Sequence, residues 1–218
     1  MSPKDKTEAP EGVRSFEPLP RGHHGLTPEQ VRSSQRERLL RAMLASVAEH
    51  GYASTTVPQV VASARVSRNA FYEFFNDKED CFIALCDEEA ADLIAVMRDT
   101  GDARDWITAV RRGVGRYLRW WQAREEFTRA YFVELPTAGA RAVEQRDRAY
   151  EPFRELFRDV GVWARHADPS LPPLDELTVR LLVISITELI AQEVRAGRGD
   201  RLVELEEDLA GHTVRMLS

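Results

Sequence analysis

The sequence predicts an all-α protein: an N-terminal three-helix head containing a helix-turn-helix, followed by a larger helical body. Three observations lead there. From about residue 28 onward, apolar residues recur at spacings of three and four, with almost no strand-like alternation. Gly51, Gly101, Pro136, the loop 169–173 and the glycines Gly197 and Gly199 cut that pattern into helix-length pieces. At 218 residues the chain is long enough to bury a sizeable core.

Residues 1–20 hold Pro3, Pro10, Pro18 and Pro20 among many charges and few apolar residues, so a disordered tail is expected. The first helix opens on a capping box of Thr27, Pro28 and Gln30 and stops near His50 at Gly51. Its apolar positions are Val31, Leu39, Leu40, Met43, Leu44 and Val47. A second capping box, Thr56 with Gln59 and with Pro58 in the first turn, starts a short helix. There Val57, Val60 and Val61 form an apolar face, and Ala62 and Ala64 allow close packing. Val66 fills a tight turn, and Ser67 caps a second short helix over 68–74. Phe71, Phe74 and Phe75 fall at core spacing, which leaves Ser67, Arg68, Asn69 and Tyr72 pointing outward. Asn76 or Asp77 caps the next helix. The body then reads as helices near 77–99, 102–123, 125–134, 136–166, 174–196 and 200–217. The implied division is a tail over 1–20, a head over 21–82 with its helix-turn-helix at 57–76, and a body over 83–218.

Composition narrows the function classes. No run of about 18 apolar residues could span a membrane, and no charged start leads into an apolar signal region. A soluble, cytoplasmic protein without a membrane partner is expected. Cys81 and Cys86 lie about 140° apart around one expected helix and do not pair. No nearby histidine completes a metal set, so both read as reduced helix residues. A P-loop, G-x-S-x-G, H-E-x-x-H and a glycine-rich strand-to-helix turn are all absent. Neither catalysis, nor a cofactor, nor a metal is expected. The net charge of −6 divides unevenly: residues 21–78 hold eight Lys/Arg against five Asp/Glu, and residues 79–218 hold nineteen against twenty-seven. The basic share sits on the helix-turn-helix, where phosphates would be neutralised, and the acidic body discourages nucleic acid. Uneven solvated charge is the plainer alternative.

A helix-turn-helix presents one helix to the major groove of DNA. The string SRNAFYEFFNDKEDCF, residues 67–82, resembles the recognition-helix signature of the TetR family of transcriptional regulators. TTVPQVVASARV, residues 55–66, occupies the place of that family's T-T-V-x-x-I-A-x-x-A-G-V. The resemblance covers residues 37–82, about a fifth of the chain. Two positions depart from the pattern: Val61 replaces the usual alanine, and Arg65 the usual turn glycine, which takes positive φ without strain. Residue by residue, the resemblance implies that Tyr72 and Lys78 grip phosphates while Ser67, Arg68 and Asn69 approach the groove. Arginine suits guanine and asparagine adenine. Thr56 would hold a phosphate at a helix start, and Arg65 adds a candidate phosphate contact. Arg21 resembles the basic arms that some members lay in the minor groove, the alternative being a linker with one arginine.

For the body, the resemblance implies a homodimer joined through the last two long helices. The segments 174–196 and 200–217 carry more apolar surface than one face needs; Leu182, Ile186, Leu189, Leu205, Leu209 and Met216 are the candidate interface. A single buried helix is the alternative. Trp106, Val110, Tyr117, Trp121, Phe127 and Tyr131 surround a helix interrupted by Gly113 and Gly115, and they are the candidate pocket for an unidentified small apolar or aromatic ligand. The bland alternative is a solid aromatic core. The expectation is therefore a dimeric regulator, a repressor of a near-palindromic double-stranded operator, released by that ligand. The alternative from another class is a helical protein-interaction module that kept the head but lost DNA binding.

Overall fold

The computed structural model describes residues 27–99 and 101–218, and these residues form helices without a strand. The expected tail over 1–20 and the arm residue Arg21 lie outside the described residues. Helix α1 (Pro28–His50) begins on the expected reciprocal capping box. Thr27 N–H donates to Gln30 Oε1 at 2.9 Å, and Gln30 N–H returns to Thr27 Oγ1 at 3.2 Å. It ends where Gly51 takes φ +76° and donates its N–H to the Val47 carbonyl. Leu39, Met43 and Val47 are buried along its inner face, whereas Val31 is exposed.

Helices α2 (Val57–Ala64) and α3 (Arg68–Phe74) cross over that face, capped by Thr56 and Ser67 as the sequence predicts. Val60 and Phe71 are fully buried between them and α1, and Phe75 closes the base against Phe71. Asp77 caps α4 (Lys78–Arg98) by accepting from Asp80 N–H at 2.8 Å. The first turns of α4 bury Cys81, Phe82 and Leu85 under the head, while Leu93 belongs to the body. One continuous helix therefore links the two.

In the body, α5 (Trp106–Gln122) runs centrally, packed by α4, α8 and α10. The expected helix over 125–134 is instead α6 (Glu125–Arg129) running into a π turn (Ala130–Glu134) and a 3-10 turn (Leu135–Thr137). The expected helix over 136–166 is two: α7 (Ala140–Ala149) and α8 (Glu151–Ala167). Pro152 explains the break, because its ring lacks the N–H that would bond back across Tyr150. α9 (Glu176–Arg195) follows its predicted span closely. The last helix is shorter than expected: a 3-10 segment (Gly199–Leu205) kinks at Arg201 before α10 (Glu206–Leu217).

Candidate nucleic-acid interface and body cavity

The outer face of α3 is built as its sequence requires. Ser67 Oγ accepts from Ala70 N–H at 3.1 Å, fixing the helix start, and Ser67, Arg68 and Asn69 are exposed on that first turn. Tyr72, 46% exposed, stands one turn on, with the Arg68 guanidinium 5.7 Å from its ring centre. Thr56 is exposed at the start of α2, its hydroxyl donating to Gln59 Oε1 at 2.7 Å. Arg65 adopts φ 53°, ψ 45°, the left-handed geometry that a glycine would take, and the Val66 N–H closes α2 by donating to the Val61 carbonyl. The turn forms without glycine at a conformational cost of about 1–2 kcal/mol.

Lys78 also has a task inside the head. Its ammonium donates to the carbonyls of Tyr52 at 2.9 Å, Ala53 at 3.3 Å and Thr55 at 2.9 Å, and lies 4.3 Å from the centre of the Tyr52 ring. The α1–α2 turn aims three carbonyls at the start of α4, and one lysine bonds them all, the Tyr52 carbonyl also accepting from Thr55 N–H. With three donors in use, Lys78 pins the turn to α4.

Contacts between head and body concentrate beside it. Glu134, the last residue of the π turn, accepts from Tyr52 N–H at 2.9 Å. Arg141 at the start of α7 bridges Asp77 at 2.7 Å and Glu79 at 2.8 Å and also bonds Asp80. Hydrogen bonds to Glu79 and Asp77 hold that guanidinium above its ordinary range. Burial, aided by the Glu79 charge, pushes the Tyr52 hydroxyl up to about 12. No sequence pattern announced Glu134 or Arg141, since their partners lie more than sixty residues away.

The body holds a partly open apolar cavity of about 100 Å³ between α4, α5, α8 and α9. Five of the six predicted residues, Val110, Tyr117, Trp121, Phe127 and Tyr131, line it. Trp106 does not: it packs into the core at the N-terminal end of α5. A Cβ added at Gly113 would meet nothing within 4 Å, so this glycine leaves the wall open. Gly115 serves the other purpose, because a Cβ there would collide with the Glu206 carboxylate. Tyr150 and Thr187, which the sequence did not single out, add polar atoms to the wall. Cys81 and Cys86 are free and buried, and burial pushes the Cys81 thiol up to about 12. Among the described residues no group of side chains could hold a metal, and no helix is long and apolar enough to cross a membrane.

Three of the six expected interface residues are taken up by the chain's own core. Leu182, Ile186 and Leu209 are buried in the chain's own core, and Leu189, Leu205 and Met216 are half-buried against it. α9 turns residues 179, 182, 183, 186 and 190 inward. The apolar excess is on its opposite face, where Leu177, Leu181 and Ile184 are 64%, 47% and 48% exposed, with Val162 of α8 at 58%.

With that head in view, residues 39–85 match the family model described as bacterial regulatory proteins, tetR family. Residues 39–85 are a TetR-type DNA-binding head. It is 34% identical over 99 residues to the HTH-type transcriptional repressor AcnR of Corynebacterium diphtheriae, covering 40% of this chain. The match spans about half, 52%, of that relative's length. To the HTH-type transcriptional repressor SCO4008 of Streptomyces coelicolor it is 28% identical over 171 residues, covering 76% of this chain and 85% of the relative. The fold extends the likeness into the body. The crystal structure of FadR from Bacillus subtilis in complex with stearoyl-CoA superposes with a TM-score of 0.73 at 17% identity, covering 82% of this chain and 97% of that one.

Proposed function

We propose that the protein is a homodimeric repressor that binds a near-palindromic DNA operator through α3 and leaves it when a small ligand enters the body cavity. The observation that carries this is the exposed first turn of α3, with Ser67, Arg68 and Asn69 displayed beside Tyr72 on a basic head. Arg68 is assigned to a guanine edge and Asn69 to an adenine edge. Thr56 and Tyr72 take phosphates, joined by Arg65. Likeness to AcnR and SCO4008, both named repressors, supports the sign of regulation. FadR, solved with stearoyl-CoA, supports a small-molecule signal in a body of this fold.

The dimer is proposed on the outer faces of α8 and α9, through Leu177, Leu181, Ile184 and Val162. Two heads related by a twofold would then meet half-sites about 34–36 Å apart. The signal is proposed to pass through the π turn, which carries Tyr131 on the cavity wall and Glu134 against the head. Selection of operator DNA from a random pool, followed by anisotropy titration, tests the proposal. Binding should weaken steeply with salt, and Arg68→Ala and Asn69→Ala should each relax preference at one base position at a cost of about 1–3 kcal/mol. Failure to enrich any sequence, with the fold intact, would favour the protein-interaction alternative.

A further inference from the structure

Building on the proposed ligand response, we infer that the body cavity takes a small uncharged ring compound bearing a hydrogen-bond acceptor, such as an aromatic ketone or ester, and that the Trp121 indole N–H donates to it. Trp121 is 4% exposed, and its Nε1 makes no well-formed hydrogen bond among the described residues. An indole N–H donates only, so whatever satisfies it must accept. Buried polar groups without partners are rare enough that each calls for a cause. The Tyr117 hydroxyl is in marginal hydrogen-bonding reach of the indole and of Thr187, so a ligand acceptor would replace or complete that weak contact. Thr187 already donates to the Val183 carbonyl at 2.7 Å, so its hydroxyl has only acceptor capacity left.

Charge is excluded on the same wall. Among the described residues, no Asp, Glu, Lys, Arg or His lines the cavity. Burial holds the Tyr117 and Tyr131 hydroxyls above their ordinary range, so both stay neutral. A carboxylate or phosphate entering here would lose its water and meet no cation, a loss that neutral donors do not repay. Size and shape then point to a ring. The space of about 100 Å³ is of the order of the ~150 Å³ engineered cavity that binds benzene. Trp121 and Phe127 stack with their planes 4° apart, and Tyr131 tilts against both, which offers ring faces and edges to an aromatic guest.

Acetophenone, cumene and benzoate share a ring and a non-hydrogen atom count but present a carbonyl, a methyl branch and an anion. Titrated into the full chain and followed by tryptophan fluorescence and thermal shift, acetophenone should bind about five- to tenfold more tightly than cumene, with benzoate weakest. Trp121→Phe keeps a ring and removes the N–H, and should erase most of the preference for acetophenone over cumene. Without any substitution, one of the four tryptophan indole proton resonances should move downfield with acetophenone and not with cumene. Tight benzoate binding, an unchanged preference in Trp121→Phe, or no movement of any indole resonance with bound acetophenone each overturn the inference while leaving a ligand cavity in place. Binding by none of the three compounds overturns both the inference and the ligand-responsive function on which it rests.

Discussion

Replacing Lys78 by methionine separates a structural lysine from a phosphate-binding one, because the stem survives and only the ammonium is lost. Two of its three carbonyl acceptors, Tyr52 and Thr55, sit in part-buried bonds of 2.9 Å, while the bond to Ala53 is longer and exposed. Water replaces the exposed bond at little cost. Each part-buried carbonyl left without its charged donor costs about 1–1.5 kcal/mol. The lost ammonium–ring contact with Tyr52 adds about 0.5–1 kcal/mol. The total is about 3 kcal/mol, and at about 2–4 °C per kcal/mol for a chain of this size the Tm should fall by roughly 6–12 °C. Calorimetry or circular dichroism reads that fall. Operator titrations across salt concentrations supply the second axis, on which the slope should stay within experimental error of wild type at temperatures where the variant is folded. A Tm within about 2 °C of wild type, together with a salt slope reduced by about 0.9, is what a lost phosphate contact produces. That pair of results would refute the structural role.

Arg65→Gly should raise stability by about 1 kcal/mol by relieving left-handed strain, seen as a small rise in Tm, and should cost operator affinity only if the guanidinium meets a phosphate. Leu181→Asp should convert a dimer into a 24.8 kDa monomer in sedimentation with the fold intact, whereas Leu182→Ala should instead destabilise each chain by about 2–5 kcal/mol; equal effects would contradict the assignment of faces on α9. Glu134→Ala should tighten ligand binding to the free protein and cut the ligand's effect on operator affinity by about tenfold, measured by anisotropy with and without ligand. Hydrogen bonds from the backbone and side chain of Thr108 and of Thr178 hold the Asp105 and Asp175 carboxyls below the ordinary range. Their stabilisation is therefore present above the unfolded value of about 3.9 and lost as pH falls through the folded values; carboxyl NMR titrations with midpoints at or above 3.9 would count against both caps.

How much the sequence discloses depends on the range of the interactions involved. Capping boxes are contained within four residues, so Thr27 with Gln30 and Thr56 with Gln59 are legible with their partners. The core positions Phe71 and Phe75 emerge from period alone. Five cavity residues are legible because they cluster on α5 and the segment just after it, but the α7–α8 junction and α9 contribute Tyr150 and Thr187 from positions no local pattern marks. Apolar excess on α9 is legible as a quantity, yet its direction is not. Leu182 and Leu181 are neighbours in sequence, and only packing against the rest of the body decides which of them is buried. Lys78 is only partly legible for a related reason, since a lysine in such a head suggests a phosphate, and its bonds to the three carbonyls of the preceding turn emerge only from the fold.

The contacts joining head to body differ in what they can transmit. Arg141 with Asp77, Glu79 and Asp80 forms a network whose arginine is 46% exposed, and exposed pairs contribute about 0–1 kcal/mol each. Such bridges tie α7 to α4 but are too weak and too solvated to decide which of two arrangements prevails. Glu134 differs because its charged oxygen accepts a backbone N–H in a part-buried site, worth about 1.5–3 kcal/mol. That is the size of a typical coupling free energy between two sites. Its position gives a mechanical reason as well. The Leu135 N–H bonds back to the Ala130 carbonyl, which closes a π turn one residue wider than an α-helical one. Contracting that turn rotates the chain downstream of it by roughly 100° per residue of register, with Tyr131 at the cavity end and Glu134 at the head end of the same five residues. A ligand that moves Tyr131 therefore acts on the geometry that holds Glu134 against Tyr52, and the energy at stake is large enough to shift operator affinity by an order of magnitude or more.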